Sequence, residues 1–224
     1  MRIEPRFLFD LDGTLVDSVY QHVLAWKRSL DAEGIELSVW RIHRKIGMSG
    51  GLFTHQLLRE TGREIGTEVI ERLGRRHARA FLEQADSIRP LPGARELLAT
   101  LSSAGIGWAI ATSGRMETAA AGLAALGVDP ASTPVVTRDQ VNHAKPDPDL
   151  FLAACERVGG PIETAIVVGD SIWDMLAAAR CRALGVGVRS GGYGTDELRQ
   201  AGAIRIYDDP ADLLDHLDEV GGRR

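Results

Sequence analysis

Cysteine is scarce in this chain. Two occur in 224 residues, Cys155 and Cys181, far apart and without metal-like spacing. That argues against a disulfide framework and fits a reducing compartment. No basic block stands out either: 26 Lys and Arg face 31 Asp and Glu, for a net charge of −5. Nothing in that balance calls for nucleic acid as an obligatory partner. The start, MRIEPRFLF, holds no signal-peptide apolar region or cleavage site, and no apolar run approaches a membrane span. The expectation is a soluble cytoplasmic protein with no membrane partner. Repeats and low-complexity tracts are also missing. With 44% hydrophobic residues, the chain can build one large domain, or a domain with a modest insert.

What is present is a rhythm. Short, nearly continuous apolar runs fall at Arg6–Phe9, Gly107–Ala111, Pro134–Val136, Ala165–Val168 and Leu184–Val188, with a weaker one at Ala203–Tyr207. Buried parallel strands read this way. Helical patterns at Ala94–Ala104, Met116–Leu126, Pro148–Val158 and Ile172–Arg180 lie between most of them. Such alternation predicts an α/β fold, a Rossmann-like open parallel sheet covered by helices on both faces. One interval breaks the rhythm. Val19, Val23, Trp26 and Leu30 form a helical stripe ending near Gly34, and helical segments follow across 39–46, 50–61 and 66–85 with no convincing strand. Pro90 and Pro92 then punctuate the return. Residues 17–88 are therefore expected to be an all-helical insert in a core made of 1–16 and 89–224. Its hinges should lie near Val16–Asp17 and Arg89–Pro92.

The ends of the strands carry the polar chemistry. The run FLFDLDGTLVDS puts Asp10 and Asp12 on one side of a strand end, since neighbouring side chains alternate. Two carboxylates there are costly without a cation, and oxygen-only ligands suit Mg²⁺. ATSG places Thr112, Ser113 and Gly114 where a strand turns into a helix, a good phosphate cradle. AKPDPDLF offers Lys145 ahead of Pro146, and GDSIWD offers Asp170 and, four residues on, Asp174. Each has a bland reading too. Ser113 and Ser171 can be helix N-caps, Asp174 a first-turn acid favoured by the helix dipole, and Lys145 a surface lysine. The conjunction, in this order, carries the argument.

With those residues in view, the chain resembles the haloacid dehalogenase superfamily. DLDGTLVDS, ATSG, AKPDPDLF and GDSIWD are similar to its four motifs, and the insert resembles the helical cap of its first subclass, which includes phosphoglycolate phosphatases, sugar-phosphate phosphatases and β-phosphoglucomutase. The resemblance implies an Mg²⁺-dependent phosphatase acting on a small phosphorylated metabolite, as a monomer or weak homodimer. It implies Asp10 as nucleophile, forming an aspartyl phosphate, and Asp12 as general acid and then base. It implies a metal held by Asp10, the Asp12 backbone carbonyl and Asp170, with Asp174 ligating it or orienting its water. Thr112, Ser113, Gly114 and Lys145 would hold the phosphoryl group.

Within the family the residues discriminate. Asp12 is present, unlike in the dehalogenases, and KIGMSGGLF lacks the lysine that phosphonoacetaldehyde hydrolases need. The mutase alternative rests on YQHVLAWKRSLDAEGI, in which His22 matches the mutase histidine and Ser18 stands four residues before it. Against the mutase, Gly50 stands where its phosphate-binding arginine would be, and neither Arg41, Arg44 nor Lys45 sits at the matching place. Gly47, Met48 and Ser49 are the expected substrate contacts from the cap, or else a plain helix–helix turn. A catalytically silent binding module is the remaining alternative, although no motif residue is missing.

Overall fold

The computed structural model describes residues 5–48, 50–62 and 65–222. The chain opens with β1 (Arg6–Phe9), which becomes the centre of the sheet. Phe7 and Phe9 point into one apolar layer and Leu8 into the other, so the strand is buried on both faces. A two-residue strand, β2 (Val16–Asp17), follows. The cap comes next: α1 (Val19–Ala32), α2 (Val39–His43), α3 (Gly50–Thr61) and α4 (Thr67–Leu82). The chain then returns through β3 (Arg89–Pro90).

From there strand and helix alternate. The order is α5 (Ala94–Ser103), β4 (Trp108–Ala111), α6 (Met116–Leu126), β5 (Val135–Val136), α7 (Asp149–Val158), β6 (Ala165–Gly169), α8 (Ile172–Cys181), β7 (Leu184–Val188), α9 (Thr195–Gln200), β8 (Ala203–Tyr207) and α10 (Pro210–Asp215). The sheet runs β5-β4-β1-β6-β7-β8, every pair parallel. Leu97, Leu123 and Leu213 of α5, α6 and α10 cover one face. Phe151, Ala154 and Ala177 of α7 and α8 cover the other. The strand order reverses across β1, which puts the crevice for a ligand at its carboxyl end.

One expectation needs correcting. The interval after the first strand is not wholly strandless: Val16 and Asp17 pair antiparallel with Pro90 and Arg89. The pair is two residues long, too short for an alternating pattern to show. It ties together the two chain segments that enter and leave the cap helices. The helices α9 and α10, each six residues long, were likewise below the length at which periodicity speaks.

The cap has its own apolar cluster, built on the α1 stripe Val19, Val23 and Leu30 with Ile42, Phe53, Leu57 and Leu73. Trp173, from the core helix α8, packs into that cluster.

Candidate active site

At the carboxyl end of β1 the chain turns sharply. Gly13 sits at φ +84, a left-handed conformation that suits glycine, and a Cβ there would press against Val19 and the Asp170 carboxylate. The turn presents Asp10 on the rim and lets Asp170, just beyond β6, come close. Carboxylate oxygens of Asp10, Asp170 and Asp174 lie within 4.8 Å of one another, all three residues buried. Lys145 stands among them, fully buried. Its Nζ donates to Asp10 Oδ1 and lies 2.8 Å from Asp174 Oδ1.

Each carboxylate is held by particular neighbours. Thr14 Oγ1 donates to Asp170 Oδ1 at 3.0 Å. Gly191 lies so near the same carboxylate that a Cβ there would overlap it. Asp174 Oδ2 accepts from Ser171 N at 3.1 Å and Ser171 Oγ at 2.6 Å, closing a box at the start of α8. The bland readings, Ser171 as N-cap and Asp174 as a first-turn acid, thus hold, with Asp174 Oδ2 closing the box while Asp174 Oδ1 faces Lys145. Asp12 Oδ1 accepts from Ser18 Oγ at 2.5 Å and lies 3.2 Å from His22 Nε2. His22 Nδ1 in turn meets His77 Nε2 at 3.0 Å.

The electrostatics follow from this crowding. Burial pushes the Asp10 carboxyl up to about 7; Lys145 pulls it back, and Asp174 and Asp12 add to the rise. Burial, then Asp174 and Asp10, holds Asp170 well above the carboxylate range. For Asp12 burial acts upward but His22 and Ser18 outweigh it, so its carboxyl sits below the ordinary value. Lys145 loses hydration by burial, yet Asp10 and Asp174 more than offset that and raise it. Three buried carboxylates share one buried ammonium. The cluster therefore fits a divalent cation, which would relieve the repulsion that lifts Asp10 and Asp170.

The loop after β4 forms the opposite wall. Gly114 N donates to Thr112 Oγ1 at 3.0 Å, so that N–H already has a partner. A Cβ on Gly114 would stand 3.9 Å from Asp12 Oδ2, which places this loop against the first motif. Ser113 is not the cap of α6; that position belongs to Arg115. The Ser113 hydroxyl is buried with no hydrogen-bond partner, which leaves it free to donate to a ligand oxygen.

The cap closes over this rim. A Cβ on Gly47 would come 3.0 Å from Ser171 Oγ and 3.5 Å from Trp173. Met48 is buried in the cap cluster, and Ser49 lies outside the described residues. His43 Nε2 meets Gly191 O at 2.8 Å. Arg44 pairs with Glu197 and lies 3.8 Å over the Tyr193 ring, whose hydroxyl donates to Arg44 O at 2.9 Å. Sequence reasoning did not single out Thr14, His77, Trp173, Gly191 or Tyr193. Thr14 and Trp173 stand inside motifs already quoted, whereas Gly191 and Tyr193 follow β7 in a stretch without one.

Comparison with known proteins agrees with the geometry. The family model for haloacid dehalogenase-like hydrolases matches residues 6–182. The chain belongs to this family. Hexitol phosphatase A of Escherichia coli is 36% identical over 184 residues, covering 80% of this chain and 82% of the relative. A phosphoglycolate phosphatase of Agrobacterium fabrum is 33% identical over 195 residues, covering 84% and 82%. The crystal structure of a hydrolase from Pseudomonas syringae superposes with a TM-score of 0.96 at 57% identity, covering 98% of this chain and all of the other. The resemblance read from the four motifs and the helical cap is thereby borne out at the level of family and fold.

Proposed function

We propose that this protein is a phosphatase that hydrolyses a small phosphomonoester through an aspartyl phosphate at Asp10. The reading rests above all on the buried Asp10–Asp170–Asp174 cluster around Lys145, with Asp12 separately held by cap residues. The two rim aspartates stand in opposite environments. Asp10 has Lys145 at one oxygen, and Asp12 has Ser18 and His22. Without a cation the shifts, up at Asp10 and down at Asp12, run opposite to these roles. A cation beside Asp10 would lower its carboxyl, and an anionic phosphoryl group beside Asp12 would raise its carboxyl so that it carries the proton it gives up.

Asp10, the Asp12 backbone carbonyl and Asp170 would hold Mg²⁺, with Asp174 orienting Lys145 or a metal water. When bound, the ion neutralises charge on the phosphoryl oxygens. An Asp10 oxygen forms a bond to phosphorus while the bond from phosphorus to the leaving oxygen breaks, and Asp12 gives that oxygen its proton. Asp12 then takes a proton from water as the water oxygen attacks phosphorus, which releases phosphate and restores Asp10. Thr112 and Ser113 hydroxyls and Lys145 hold the equatorial oxygens, so catalysis is mainly positioning and charge stabilisation. We place the core at 1–16 and 89–224 and the cap at 17–88, with the Val16–Asp17 and Arg89–Pro90 pair as the hinge. Opening there admits substrate, and closure excludes water.

A mutase would need the bound intermediate to wait for a second phosphate. Gly50 stands where the mutase arginine is expected, which favours water as acceptor. The test is phosphate release from p-nitrophenyl phosphate and a phosphorylated-metabolite panel. Release that requires Mg²⁺, is removed reversibly by EDTA and is absent in Asp10→Asn supports the reading. Metal-independent release, or none from any ester, refutes it.

A further inference from the structure

The cap's charges are arranged in a way that bears on which ester fits. Lys45 is buried, but its Nζ is held by Glu60 Oε1 at 2.5 Å, and Arg41 takes the other oxygen of Glu60 at 3.7 Å. Glu60 lies ten residues along α3 from Gly50, about 15 Å of helix from the glycine-rich end. Arg59 is exposed beside it. Arg44 leaves the cap for Glu197 and Tyr193. On α4, Arg72 and Arg76 both hold Glu33. Arg75 and Arg79 stand two residues either side of His77, about 200° around the helix, where they hold Glu71 and Glu83. From the core, Arg115 follows the phosphate loop directly but pairs outward with Asp139, its side chain 70% exposed. Among the described residues, Lys145 is the cation at the rim, and Asp10 and Asp174 hold it.

What adjoins Asp12 on the cap side is a run of rings. Phe81 stacks on His22 at 3.9 Å, Trp26 stacks on His77 at 4.2 Å, and Phe53 follows at 4.4 Å from Trp26. His22 and His77 are joined edge to edge. His22 is held to Asp12, and burial, with His22 beside it, keeps His77 neutral. The half-buried rings of this run, Trp26 and His77, offer ring nitrogens to hydroxyls and apolar edges to C–H groups, while Phe53, Phe81 and His22 are buried and both His22 nitrogens are already paired. His22 is already committed to Asp12, so the wall has no countercharge to spare for a ligand.

We propose that the closed site selects phosphomonoesters whose leaving group is uncharged, a polyol or neutral sugar, and rejects those carrying a carboxylate or a second phosphate. The inference rests on the phosphatase reading and divides its substrate class. Closing the cap over an anionic leaving group would bury a charge without a partner, which costs far more than burying a hydroxyl that finds a hydrogen bond. It also separates this chain from what the name of the phosphoglycolate phosphatase relative would suggest.

Matched esters test it with the intact protein. Sorbitol 6-phosphate and 6-phosphogluconate differ in one end group, as do 2-hydroxyethyl phosphate and 2-phosphoglycolate. Phosphate release from each is measured at saturating Mg²⁺, with p-nitrophenyl phosphate as the control. The neutral member of each pair should show kcat/KM at least about 100-fold higher. Equal values within a pair, or a preference for the anionic member, overturn the inference while leaving the phosphatase intact. Hydrolysis of p-nitrophenyl phosphate with neither neutral ester turned over also overturns it alone. No release from any compound, the control included, fells the phosphatase reading and this inference together.

Discussion

The rim of the sheet and the inner face of the cap sit against each other and are built on opposite plans. At the rim, four acidic side chains and a lysine are crowded together, and each is held through at least one oxygen or its ammonium by a named neighbour. On the cap face, rings meet rings, and the described charges pair off elsewhere. Crowded charge stores free energy that a cation and a phosphoryl group would release on binding, which suits chemistry. A wall with no charge to spare stores none and, on the proposed reading, acts by what it refuses. On the proposed reading the reaction belongs to the core and the choice of ester to the cap.

The contrast can be broken at several places. Asp10→Asn removes the attacking oxygen and should lower kcat by about 10⁴-fold or more in steady-state assays. Activity near wild type would move the chemistry elsewhere. Lys145→Met leaves the carboxylates without their cation. Urea unfolding of the metal-free protein should show a loss of about 3 kcal/mol, with activity falling too. An unchanged midpoint would mean that the lysine is not what makes the crowding tolerable.

Gly191→Ala is a finer probe, because the new methyl would displace the Asp170 carboxylate without changing a charge. Mg²⁺ affinity from activity titration should weaken by about 10–100-fold while the far-ultraviolet spectrum stays native. Unaltered affinity would remove Asp170 from the metal site.

A pH series sharpens the rim alone. The folded protein keeps protons on Asp10 up to about 7 and holds Asp170 well above the ordinary range. The unfolded chain releases such protons near pH 4. Metal-free stability should therefore fall as pH rises from about 4 towards 7. Mg²⁺ restores it only where the carboxylates are ionised, so its upward shift of Tm should be larger at pH 8 than at pH 5. The reverse order would contradict a carboxylate site. Arg44→Ala should do least. Its pair with Glu197 is half exposed and its ring contact modest, so stability should change by less than about 1 kcal/mol. Any effect should appear in KM, as the closed cap loses a tether. A collapse of kcat would show that cap and rim are not separable.

The same contrast explains what could be read in the sequence. Asp10, Asp12, Thr112 and Asp170 lie at or just beyond strand ends whose apolar runs mark them, so their convergence follows from topology; Lys145, nine residues past β5, was marked by its own motif. Five of the six sheet strands were legible because burial on both faces leaves continuous apolar runs, while the edge strand β8, exposed at Ile204 and Arg205, left only a weak one. The two-residue strands β2 and β3 were not, since pairing that short leaves no pattern. His77 meets His22 from another cap helix and Trp173 meets the cap from the core, and nothing local in a helix says which face will meet a partner folded 55 or more residues away. Gly191 was hidden for a similar reason: its role is to leave room for a side chain from another strand.

The most direct test of the central claim is to trap the acyl phosphate. Borohydride reduces an aspartyl phosphate to homoserine, which peptide mass spectrometry locates. Quenching during turnover with Mg²⁺ and substrate should yield homoserine at position 10 and nowhere else, and none when either is left out. Active enzyme quenched at steady state with residue 10 still aspartate, or with the reduced residue at another position, would contradict the account.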